Sequence, residues 1–88
     1  MHATATLIEK AYAMDPSPAA WGKKLGISRT TVAAARTRGR ASPTLAGALA
    51  AELGESVEHW VALAALDGEP ETPAKSKLMA QLIKVRNL

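Results

Sequence analysis

Apolar residues recur along this chain at helical spacing, in short blocks punctuated by serine, proline and glycine. The first block predicts an amphipathic helix from about Thr4 to Met14, with Leu7, Ile8 and Ala11 on one side. Asp15-Pro16-Ser17-Pro18 ends it, because each proline disfavours helix in the residue before it. Ser17 then caps a second, short helix, and Pro18 takes its first position, where a missing N–H costs nothing. Gly26 stops that helix, Ser28 caps a third to about Arg38, and Gly39 ends the third in a left-handed turn. Ser42-Pro43 repeats the start for a fourth, with Leu45, Leu49 and Leu53 inward and Gly54 as its stop. Ser56 caps a fifth, whose buried stripe is read as Val57, Trp60, Val61 and Ala64, with Gly68 at its end. Asp67 to Pro73 reads as a linker before a last amphipathic helix carrying Leu78, Leu82 and Val85, flanked by Met79 and Ile83.

Composition agrees with an all-α chain. Of 88 residues 48% are hydrophobic, but alanine supplies many of them and phenylalanine none, so the core must pair Leu, Val, Ile, Met and Trp with small residues. Alanine is the best helix former, which favours helix almost everywhere. The absence of cysteine excludes a disulfide scaffold and any Cys-ligated metal, and suits a reducing compartment. No apolar run approaches the ~18 residues of a membrane span. Met1-His2-Ala3-Thr4 has neither the charged nor the apolar region of a secretory leader, so the expectation is a soluble cytoplasmic protein with no membrane contact.

Charge changes the picture further. The net charge is only +3, yet residues 16–51 contain no Asp or Glu. They hold Lys23, Lys24, Arg29, Arg36, Arg38 and Arg40, while Glu9, Asp15, Glu52, Glu55, Glu58, Asp67, Glu69 and Glu71 all lie outside. A charge run is often no more than a solvated face; segregation over so long a stretch points to a surface that meets a polyanion.

Two helices crossing steeply need a tight turn, a small residue where they touch, and apolar residues facing a shared core. Gly26 stands in the turn, Gly22 lies one helical turn earlier, and Trp21, Leu25, Ile27, Val32 and Ala35 fall at the inward positions. The stretch SPAAWGKKLGISRTTVAAARTRG thereby resembles the helix-turn-helix of lambda-repressor-like (Cro/CI-type) phage regulators. The resemblance covers about residues 4–66 and implies a five-helix DNA-binding domain over 1–68. Residues 69–88 would then be a linker and a C-terminal helix for dimerisation or core completion. Pro18 stands where many such domains carry Gln, which removes one phosphate contact and leaves the Ser17 hydroxyl to replace part of it. A second segment, HWVALAALDGEPETPAKSKLM, resembles small helical proteins carried by filamentous phages and prophages, which supports a phage setting without specifying an activity.

The resemblance also assigns roles. A recognition helix enters the major groove N-terminus first, so Ser28, Arg29 and Thr30 are expected at base edges, with Ala33, Ala34 and Thr37 continuing the stripe. Arg29 is the strongest base reader, because a guanidinium can pair bidentately with guanine; its alternative is a phosphate contact. Ser17, Lys23, Lys24, Arg36, Arg38, Arg40 and Thr44 are expected at phosphates. Trp21 and Trp60 are read as core, Tyr12 as core edge or surface, and His59 as a capping or surface residue. His2 is placed at a loose terminus. No carboxylate pair, phosphate-binding glycine loop or Ser/His/Asp set stands out, so neither an enzyme nor a cofactor is expected.

The implied function is a Cro-like repressor, a transcription regulator binding double-stranded DNA as a homodimer. The alternatives are a protein-interaction module that reuses the fold (an anti-repressor, accessory factor or host-defence inhibitor) and an antitoxin. The dimer contact is sought around Val57–Leu66 or, preferably, on the last helix with Leu78, Met79, Leu82, Ile83, Val85 and Leu88.

Overall fold

The computed structural model describes residues 3–86 as six helices, with no strand among the described residues. They are α1 (Ala5–Met14), α2 (Pro18–Leu25), α3 (Arg29–Arg38), α4 (Pro43–Leu53), α5 (Val57–Asp67) and α6 (Pro73–Arg86). The molecule measures 38 × 27 × 19 Å. Among the described residues no helix is long and apolar enough to cross a membrane. His2 and Leu88, assigned to the terminus and the last helix, lie outside the described residues.

Local chemistry sets the boundaries. The hydroxyls of Ser17, Ser28, Ser42 and Ser56 accept from the backbone N–H three residues on, at 3.1–3.2 Å, satisfying donors that a helix start leaves open. Gly26, Gly39 and Gly54 end α2, α3 and α4 with positive φ. The sixth helix starts by the same device inside the stretch read as linker: the Thr72 Oγ1 accepts from Lys75 N at 3.1 Å, and Pro73 is the first helical residue.

The core draws on every helix through α5. Leu7, Ile8, Ala11 and Tyr12 of α1, Trp21 of α2, and Val32 and Ala35 of α3 meet Leu45, Ala46, Leu49 and Ala50 of α4 and Trp60, Leu63 and Ala64 of α5. Both tryptophans are buried, as expected, and Tyr12 is buried too. Ala46 and Ala50 are fully buried, so the alanine content serves close packing of α4 as well as helix propensity.

Two expectations for α5 need correction. Val57 is 40% exposed and Val61 only half-buried; the buried stripe is Trp60, Leu63, Ala64 and Asp67. The true stripe ends in a charged residue, which hides it from a reading that follows apolar positions. Asp67 is a buried anchor and no part of a linker: its carboxylate accepts from Ala3 N and Thr4 N, both at 3.2 Å, and from Thr4 Oγ1 at 3.1 Å. The Thr4 Oγ1 in turn accepts from Ala41 N at 3.0 Å, so one network ties the end of α5, the start of α1 and the loop after α3. His59 is half-buried, its ring edge-on to Trp60 at 5.7 Å between centroids.

The last helix lies against α5, with Met79 and Leu82 partly buried on the core. Leu78 and Ile83 stand 54% and 48% exposed at its two edges. The Lys75 ammonium donates to Glu69 O at 2.9 Å and Glu71 Oε1 at 2.7 Å, closing the turn that precedes the helix.

Candidate nucleic-acid interface

The α2–turn–α3 unit packs as its glycines require. Gly26 has φ 69° and ψ 32°, a left-handed conformation that costs an L-residue with a side chain energy. Gly22 is there for space: a Cβ on it would lie 2.6 Å from Ile27 O and 3.1 Å from Arg29 N, so only glycine lets the turn cross this face. Trp21, Val32 and Ala35 are buried, and Leu25 and Ile27 pack partly buried against the same core. All of the expected inward positions therefore face inward.

With Val32 and Ala35 turned to the core, a rotation of about 100° per residue puts Thr30, Ala33, Ala34 and Thr37 on the outer side of α3. Thr30 and Thr37 are exposed, while Ala33 and Ala34 are half-buried. The Thr37 hydroxyl donates to Ala33 O at 3.1 Å, and the Ser28 hydroxyl, besides capping, lies 2.9 Å from Thr31 Oγ1. Both hydroxyls thus have local work that competes with an external partner. Arg29 is exposed at the flank of this face. With Ser17, Pro18, Ala19, Thr30 and Ala33 it lines a hollow of about 340 Å³ between the start of α2 and α3. Ser17, expected at a phosphate, therefore meets Arg29, Thr30 and Ala33, expected at bases, around one groove.

The other cations spread around this unit. Lys23, Lys24 and Arg38 are exposed and Arg40 is half-buried. The Lys24 ammonium lies 5.1 Å from the centroid of the Trp21 ring. Thr44 is exposed in the first turn of α4, beside the Ser42 cap. Arg36 is set apart: its guanidinium sits 4.3 Å over the Tyr12 ring, in a hollow of about 380 Å³ also lined by Ala5, Ile8, Glu9, Ala13 and Gly39. The stretch without acids is continuous in sequence only, since α1 brings Glu9 to this rim. Among the described residues the ion pairs are Lys10–Glu55 at 2.6 Å and Lys75–Glu71 at 2.7 Å; none of the six cations of residues 16–51 takes part in one.

Sequence reasoning missed Tyr12 as a partner of a candidate contact. Its place beside Ile8 and Ala11 on the apolar stripe signals burial, but nothing local links it to a residue two helices away. Thr31 was missed as well, although its hydroxyl follows the Ser28 cap at the spacing where cap partners meet. No family model, no curated protein and no solved structure matches the chain.

Proposed function

We propose that the chain is a small DNA-binding regulator of the lambda-repressor-like type, with α2 and α3 as its helix-turn-helix and α3 as the helix that enters the major groove. The observation that carries this reading is the set of six cations, free of ion pairs among the described residues, around a helix that turns Thr30 and Thr37 to solvent on its outer side. Cations that no carboxylate neutralises are what a phosphate backbone recruits, releasing its own counterions as they bind. Arg29 reads a base edge from the opening turn of α3, Thr30, Ala33, Ala34 and Thr37 face the groove, and the remaining cations with Ser17 and Thr44 hold phosphates. One unit reads only a few base pairs, so operator recognition takes two copies on adjacent half-sites. The exposed edges of α6 at Leu78 and Ile83 offer apolar surface for that pairing.

Selection of bound sequences from random duplex DNA at two salt concentrations tests the proposal. A palindromic motif is the expected result; no enrichment with weak binding at both concentrations would turn the reading to a protein partner. On the selected site, Arg29→Ala should cost ~1–3 kcal/mol and relax the preference at one base pair. An equal loss on random DNA would make Arg29 a phosphate contact.

A further inference from the structure

We infer that Tyr12 is a positioning residue for this interface: its ring holds the Arg36 guanidinium as a preset phosphate contact beside α3. The inference rests on the DNA-binding reading above. The ring is itself fixed, being 8% exposed and donating its hydroxyl to Val32 O at 3.4 Å. Arg36 follows Val32 by one helical turn, so the tyrosine spans that turn, with its hydroxyl at one end and the cation 4.3 Å over its ring.

Stacking uses one face of a guanidinium, whereas its N–H donors lie in the plane and point outward from the edges. Arg36 is exposed, so the ring can take one face while the edges reach a phosphate. An arginine without such a platform must give up rotamer freedom when it binds; one already held over a ring has lost much of it beforehand.

The test is a double-mutant cycle on the full chain, read as affinity for a mixed-sequence DNA duplex, since a phosphate contact needs no particular sequence. Tyr12→Leu should weaken binding by about twofold to fivefold, the scale of an exposed cation–π contact. Arg36→Gln should weaken it at least as much, and adding Tyr12→Leu to Arg36→Gln should cost nothing more. Tyr12→Phe, which keeps the ring, should recover most of what Tyr12→Leu loses. The same loss from Tyr12→Leu in both backgrounds would overturn the inference, because a tyrosine that only supports the core weakens both alike. A wild-type chain that does not bind the duplex would instead remove the DNA-binding reading on which the inference rests. Should Tyr12→Leu fail to fold, the Arg36 Nε–Hε resonance of the wild-type protein decides. A shift on adding duplex is expected, and no response would overturn the proposal.

Discussion

The α2–α3 unit and the α4–α5 pair both rely on a glycine to bring two elements close, but the two approaches differ in kind. At Gly22 the neighbour is backbone, Ile27 O at 2.6 Å from an added Cβ; at Gly47 it is the Val61 Cγ2 at 2.8 Å. A carbonyl in a tight turn cannot move without moving the turn, whereas the methyl of a half-buried valine moves aside with a small shift of its helix. The two regions also handle charge differently. Around α2 and α3 the cations carry no ion pairs, while Glu55, in the turn between α4 and α5, takes Lys10. The first region meets its glycine with backbone and keeps its cations out of ion pairs; the second meets its glycine with a side chain and has an ion pair at the turn between its helices. A binding surface calls for the first combination.

The sharpest way to break this comparison is to add the same methyl to both glycines. Either change gains helix propensity, so the difference between them reports the clash. Gly22→Ala should destabilise by about 3 kcal/mol, the upper range for overpacking, because the turn into α3 must shift. Gly47→Ala should cost about 1 kcal/mol or less by the same scale, as Val61 gives way. Thermal melting of both variants measures this, and equal losses would mean that the α2–α3 crossing is no more rigid than α4–α5.

A somewhat smaller effect is expected at the network that joins the two regions. Asp67→Ala removes the acceptor of two backbone N–H groups and of the Thr4 hydroxyl. Stranded buried donors make a loss of about 2 kcal/mol the expectation. Because the direct partners of Asp67 are Ala3 and Thr4, outside α2 and α3, duplex affinity measured well below the melting temperature should be unchanged. A melting temperature within a degree or so of wild type would show that water replaces the carboxylate at little cost.

How legible each part was follows from the range of the forces involved. Serine before α2, α3, α4 and α5, proline at the first position of α2 and α4, and glycine after α2 and α3 act within a few residues of chain, so these helix boundaries could be read directly. Thr72-Pro73 carries the same signal as Ser42-Pro43, but the Glu- and Pro-rich surroundings made it look like linker. Asp67 was hidden because its partners, Ala3 and Thr4, lie at the other end of the chain, and a charged residue at a stripe position reads as surface. The grouping of Ser17, Arg29 and Thr30 followed from the α2–α3 geometry that Gly22 and Gly26 announce. The pairing of Arg36 with Tyr12 depends on how α1 packs across α3, which no local pattern encodes.

The smallest expected effect tests the charge half of the comparison. Lys24→Ala and Arg38→Ala should weaken binding to all duplexes alike and reduce the slope of log affinity against log salt by roughly 0.9 for each phosphate no longer neutralised. Lys77→Ala and Lys84→Ala remove exposed cations from α6, outside the residues proposed to meet DNA, and should leave the slope as it is. All four variants change net charge by the same amount, so long-range attraction shifts together in all of them. Only direct pairing with the DNA backbone separates the first pair from the second. Titrations over a salt series are therefore decisive where a single affinity is not. Equal slope changes in both pairs would mean that total charge, and not its placement around α3, draws the chain to DNA.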